Sequence, residues 1–228
     1  MSPLSTVQHT STVEGTPRPG LGPLAAAVVY TAAWVLGLTI PAEEGRASDD
    51  PVVASASLVD AFPLPVVQAL LVHGVAGVAL YILVVRSLRA WGIARTAKGR
   101  TIAVLGAAAG GLSAGQFAVL LVASATAAAD PDLTHRLLAL IDEIDVAKLL
   151  VLAALVVTLP LAYRSAGGRS RWILPFSGIA AALLLVGASS FIAPTPPTSL
   201  ALGASLVALL VWSIAVATLA PRLRTPNA

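Results

Sequence analysis

The chain has no cysteine, which excludes disulfides, thiolate metal sites and cysteine nucleophiles. Charge is scarce: 11% of the 228 residues are charged, against about 25% in an ordinary globular domain. A water-soluble domain of this size needs more charge to coat its surface. No Gly-rich phosphate loop and no H-E-x-x-H helix is present. No second histidine or carboxylate stands four residues after His73, so that side chain has no metal-binding partner on its own helix. No metal, cofactor or catalytic set is therefore expected.

What is present is apolar sequence: 57% of the residues are hydrophobic, gathered into six long runs. A bilayer core about 30 Å thick needs roughly 20 apolar residues in a helix, because lipid satisfies no exposed backbone groups. Spans are expected at Leu21–Ile40, Leu64–Val85, Thr101–Ala128, Ile144–Tyr163, Trp172–Ala193 and Thr198–Leu219. Proline marks several boundaries: Pro23 suits a first helical turn, Pro41 ends the first span, and Pro63 and Pro65 open the second. The Pro194–Thr198 segment and Gly167-Gly168 read as turns. The expected organisation is a disordered tail over 1–20, a six-helix transmembrane bundle over 21–220 and a short tail over 221–228. The first tail is rich in Ser, Thr and Pro. The first span is expected to be retained, since no small-x-small cleavage site follows Ile40.

The loops alternate in charge. Arg86, Arg89, Arg95, Lys98 and Arg100 follow the second span, Arg164, Arg169 and Arg171 follow the fourth, and Arg222 and Arg224 follow the sixth. Glu43, Glu44, Asp49, Asp50 and Asp60 follow the first span with one Arg46, and Asp130, Asp132, Asp142, Glu143 and Asp145 precede or open the fourth. The positive-inside rule places the arginine loops and both termini in the cytoplasm. Trp91 and Trp172 border those loops as expected interfacial anchors. The net charge of +3 sits in these loops, so nucleic acid is not an expected partner; the lipid bilayer is. The excess of arginine over lysine and the abundant alanine point to a GC-rich bacterial genome, hence a multi-pass protein of a bacterial plasma membrane.

Two features carry the structural and functional expectations. Gly106 with Gly110, and Gly111 with Gly115, form two small-xxx-small pairs in the third span, which expects close helix packing on both rows. Polar residues inside a membrane are costly and each is a candidate for function. Here they are Gln68 and His73 on the second span, Gln116 on the third, and Asp145 with Lys148 on the fourth. At about 1.5 Å per residue, all five can converge in the outer half of the bundle. Asp145 and Lys148, three residues apart on one helix, can pair. Such a cluster either bridges helices or lines a ligand pocket open to the outside. The apolar inner half argues against a conducting route. Asp130 and Pro131 read as the N-cap and first residue of a helix that runs unbroken to Tyr163, longer than a bilayer needs.

Gly111-Leu112-Ser113-Ala114-Gly115 matches the G-x-S-x-G pattern of serine hydrolases, but that pattern works on a sharp strand-to-helix turn. Six-span intramembrane serine proteases of the rhomboid type use G-x-S-G and a last-span histidine. Here Gly115 falls one place late and the sixth span has no histidine. A Ser113–His73 dyad is the least favoured reading.

Tyr30-x3-Trp34-x2-Gly37, Gln68-x4-His73-Gly74, Asp142-x2-Asp145-x2-Lys148 and Arg171-Trp172-Ile173-Leu174-Pro175-x2-Gly178 extend over nearly the whole chain. In these stretches it resembles a group of six-span bacterial membrane proteins, chiefly actinobacterial, filed as domains of unknown function. The resemblance implies the architecture and brings no activity with it. The expected function is a non-enzymatic membrane component that partners or regulates another protein, or pairs with a second copy of itself. A small-molecule transporter or receptor with an outward-facing polar pocket is the alternative, and an intramembrane hydrolase the last.

Overall fold

The computed structural model describes residues 21–41 and 49–219. The expected tails over 1–20 and 221–228 lie outside the described residues. Helix α1 covers Leu21–Leu38 and α2 covers Pro51–Ala61. Helix α3, Leu64–Ala69, passes without a break through a wider π turn, Leu70–Val75, into α4, Ala76–Ala90. Helices α5 (Ala97–Thr126), α6 (Pro131–Ser165), α7 (Ile173–Ala188, with a last 3-10 turn to Phe191) and α8 (Pro196–Leu219) follow. No strand occurs among the described residues. Six of these segments, counting α3 to α4 as one, are long and apolar enough to cross a membrane, as the hydropathy pattern requires. The fold is an all-helical polytopic bundle.

The spans contact one another in chain order: α1 with α4, α4 with α5, α5 with α6, α6 with α7, α7 with α8, and α8 back with α1. Short connections such as 127–130 and 192–195 leave each helix no choice but to lie antiparallel to the next. The result is a closed ring of six. Its outer surface is a belt of exposed aliphatic side chains, among them Val28, Val35, Val78, Ile82, Val104, Leu150, Ile179 and Val207. In water such a belt would be a liability; hydrocarbon solvates it.

One end of the ring carries Asp49, Asp50, Asp60, Asp130 and Asp132; the other carries Arg86, Arg89, Arg95, Arg164, Arg169 and Arg171. Near the arginine end the interior is solid. Leu83, Val84, Leu88, Leu155, Val156, Leu159, Ile173, Trp212 and Val216 are buried completely or nearly so. Trp91, expected at the interface, is buried instead and meets the Tyr163 ring at a 5.1 Å centroid distance, while Trp172 is about half exposed as an anchor should be. The α6–α7 turn closes tightly over Tyr163: a Cβ on Gly168 would fall 2.2 Å from that ring, and Gly167 has φ +89°.

Toward the acidic end the helices overshoot the bilayer. Helix α6 has 35 residues, about 50 Å at the usual rise, against a core of about 30 Å. Asp130 caps it as expected, its carboxylate accepting from the Leu133 amide at 2.9 Å. Helix α2, in the loop expected between the first two spans, lies against this extension. It is started in the same way, by Asp50 accepting from the Val52 amide, with Pro51 in the first turn. Ala54, Leu58, Ala69, Leu120, Ala123, Ala127 and Leu138 form a second, smaller core there.

Candidate functional site

The two glycine rows of α5 have different fates. A Cβ on Gly106 would lie 3.2 Å from Val84, and one on Gly110 would lie 3.1 Å from the Gly77 carbonyl oxygen, so this row meets α4 at close range. Gly77 completes the crossing, since a Cβ there would lie 2.8 Å from that of Ser113. Gly111 and Gly115 face open space, and the packing expected of that row is not made among the described residues. Each stands one or five residues from the buried row, and a step of one residue turns about 100° around a helix.

Above this crossing, toward the acidic end, the ring does not fill its centre. A cavity of about 500 Å3 lies between the helices, and every span contributes to its wall. Most of the lining is apolar, including Leu80, Leu149, Leu152, Leu184 and Leu209, with Tyr30 and Trp34 on α1. Of the lining residues only Leu38, Ser199 and Gly203 are exposed. They belong to the last turn of α1 and the first two turns of α8, which locates the mouth at the acidic end, beside the α1–α8 seam.

Four of the five polar residues singled out from the sequence line this cavity: Gln68, His73, Asp145 and Lys148. The helix registers bring them level, since His73 precedes the end of α4 at Ala90 by 17 residues and Lys148 precedes the end of α6 at Ser165 by 17. Gln116 stands behind the wall, fully buried. Its side-chain carbonyl accepts from Lys148 Nζ, and its amide donates to the Ile141 carbonyl at 3.4 Å. Lys148, 6% exposed, also pairs with Asp145 at 2.6 Å. Asp145, Lys148, Gln116 and the Ile141 backbone thus form one chain of polar contacts that ties α5 to α6 with each charge compensated. Gln68 donates to the Gly37 carbonyl at 3.3 Å and fixes the top of α1 against the second span.

His73 differs from its neighbours. Its Nδ1 is buried and has no hydrogen-bond partner among the described residues, and it shares the cavity wall with Lys148 and Asp145. It sits in the π turn, and turns of this kind are enriched at functional sites. Ser113 lines the same cavity from α5, but no hydrogen bond joins it to His73 among the described residues. The Gly111–Gly115 stretch is continuous α-helix within Ala97–Thr126, without the sharp turn a nucleophilic serine needs. No group of three His, Asp or Glu side chains placed to hold a metal ion occurs among the described residues.

Sequence reasoning missed the cavity residues contributed by the first and last spans: Trp34, Leu38, Ser199 and Gly203. None of them is charged, and nothing local marks them. The class of protein is set by these observations: a six-span, all-helical membrane bundle closed around an internal cavity. No family model, curated protein or solved structure matches the chain.

Proposed function

We propose that the protein is a membrane receptor or carrier for a small molecule, set in a bacterial cell membrane with its arginine end and both termini in the cytoplasm. The observation that supports this reading is the cavity: about 500 Å3, walled by all six spans and open toward the acidic end. Ligand pockets fall in a range of roughly 300 to 1,000 Å3, with apolar walls and a few convergent polar groups. The cavity has that composition. A filler of side chains would serve a merely structural bundle better, because voids destabilise a packed interior. The solid interior beneath it speaks for an occluding vessel rather than a channel. A partner-protein role is the second reading, favoured by α2 and the residue that follows it: Val52, Val53 and Val59, with Phe62 after the helix, stay exposed outside the small core.

Thermal unfolding of the purified protein against a broad panel of small molecules tests the first reading. A Cβ on Gly203 meets nothing within 4 Å, so Gly203→Trp plugs the mouth without displacing backbone. A ligand that raises Tm in the unsubstituted protein and not in Gly203→Trp is the expected result. A panel without a single shift transfers the weight to the partner-protein reading. Orientation is checked separately by single cysteines at Ser57 and at the exposed Arg169, since the natural chain has no cysteine to label in the background. A membrane-impermeant maleimide added to whole cells is expected to reach position 57 only.

A further inference from the structure

Resting on the cavity reading above, we infer that the ligand is an uncharged amphiphile whose head presents a hydroxyl or carbonyl oxygen, recognised by His73 and Ser113. The charged groups of the cavity are already committed to one another. Lys148 gives one proton to Asp145 at 2.6 Å and another to Gln116, and Gln116 spends its amide on the Ile141 carbonyl. The pair carries no net charge. A carboxylate or phosphate brought to Lys148 is brought equally to Asp145, three residues away on the same helix face. An ammonium drawn to Asp145 meets Lys148. Either one adds an uncompensated charge where water is scarce, which is the expensive case.

The polar atoms left free are neutral ones. Ser113 lines the cavity at 7% exposure, and its hydroxyl has no hydrogen-bond partner among the described residues. His73 makes no side-chain hydrogen bond among them either. Gln68 uses its amide on Gly37 and keeps its carbonyl. A hydroxyl both donates and accepts, and so does a neutral imidazole through its two nitrogens. An alcohol or ketone oxygen satisfies such a set without disturbing the ion pair. Below these groups the wall is aliphatic, with Leu80, Leu152 and Leu209 positioned around an apolar tail. The head is thereby read by hydrogen bonds and the tail by shape, while the internal ion pair rejects charged analogues.

Three probes with the same brominated alkyl chain and a hydroxyl, carboxylate or trimethylammonium head decide the matter, using the full chain in lipid nanodiscs. Bromine quenches nearby tryptophan, and Trp34 lines the cavity. The signal assigned to the site is the saturable quenching that disappears in Trp34→Phe and in Gly203→Phe, which blocks the mouth without adding a tryptophan. The expected result is half-saturation by the hydroxyl probe at a concentration at least about tenfold lower than by either charged probe, the equivalent of one or two hydrogen bonds. His73→Ala and Ser113→Ala should each erase most of that preference. Should either substitution unfold the protein, the comparison of heads on the unsubstituted chain still decides. A charged probe that binds as tightly as the hydroxyl one overturns the inference and leaves the cavity reading standing. Absence of any saturable, Gly203-dependent quenching with all three probes overturns both.

Discussion

The two halves of the ring are made of the same six helices and handle the membrane interior in opposite ways. Toward the arginine end, large aliphatic and aromatic side chains meet across the axis, and the buried polar groups are neutral hydroxyls and indole N–H groups, some of them without a hydrogen-bond partner among the described residues. Trp212, fully buried, donates to Ser177 at 3.2 Å, and Ser213 donates back to its own helix. Toward the acidic end, an ion pair, a glutamine and a histidine are buried, the second span widens into a π turn, and space is left at the centre. A bundle built only for stability would continue the first pattern throughout, because close packing is what holds helices together when lipid removes the hydrophobic drive. The contrast is the ground for proposing a function at the acidic end. The tightest packing lies at the other.

Substitutions can break or sharpen that contrast. The largest effect belongs to the ion pair. Lys148→Met leaves Asp145 and Gln116 buried without their donor, and a loss of about 3–5 kcal/mol is expected in a denaturant titration in mixed micelles. The double variant Lys148→Met with Asp145→Leu should regain most of it, with no charge left to strand. If Lys148→Met costs no more than Val104→Ala on the lipid-facing belt, the pair is solvated and the contrast collapses.

Next come the glycines. Gly77→Leu and Gly110→Leu insert bulk into the α4–α5 crossing and should cost about 1–3 kcal/mol each. Gly111→Leu and Gly115→Leu, facing open space, should stay within about 0.5 kcal/mol. Equal effects from both rows would mean that the second row is covered by another molecule. In the solid half, Ser177→Ala orphans the indole N–H of Trp212 and should lower stability by about 1–2 kcal/mol. Any ligand-induced rise in Tm should survive that change. The smallest effect is expected from Asp50→Ala, which removes the α2 cap. About 1 kcal/mol is at stake locally, visible as faster hydrogen exchange over 51–61 and barely in the global Tm.

Much of the fold was legible because a bilayer imposes a length and a composition on every span, and six runs satisfied both. The Asp130-Pro131 start of α6 was equally plain. Asp50-Pro51 carries the same signal but does not stand out, because eleven residues with two serines and an aspartate resemble no span. The polar cluster could be named and its depth estimated, since the rise per residue is fixed. Which glycine row faces inward could not be told, for two rows about 140° apart look alike until a neighbour is placed. The π turn has no proline or other local marker. The cavity is a property of six helices arranged in a circle, and no stretch of sequence contains it.

That circle has a bearing on how the protein comes into being. Each span rests on the one synthesised just before it, so most contacts between spans join neighbours in sequence. The seam between α8 and α1 joins the most distant parts of the described chain, with smaller long-range contacts where α2 meets α6 and α4 meets α8. Until α8 inserts, the growing structure is an open trough exposing its polar side chains to lipid, and the final helix converts the trough into a vessel. The Leu21 end of α1 and the Leu219 end of α8 then stand side by side at the arginine end, so a linker between them would permit circular permutation. A permutant opened between α4 and α5 would move the last-made seam to the glycine crossing, and its yield in the membrane would report how much assembly depends on closing the ring at the mouth.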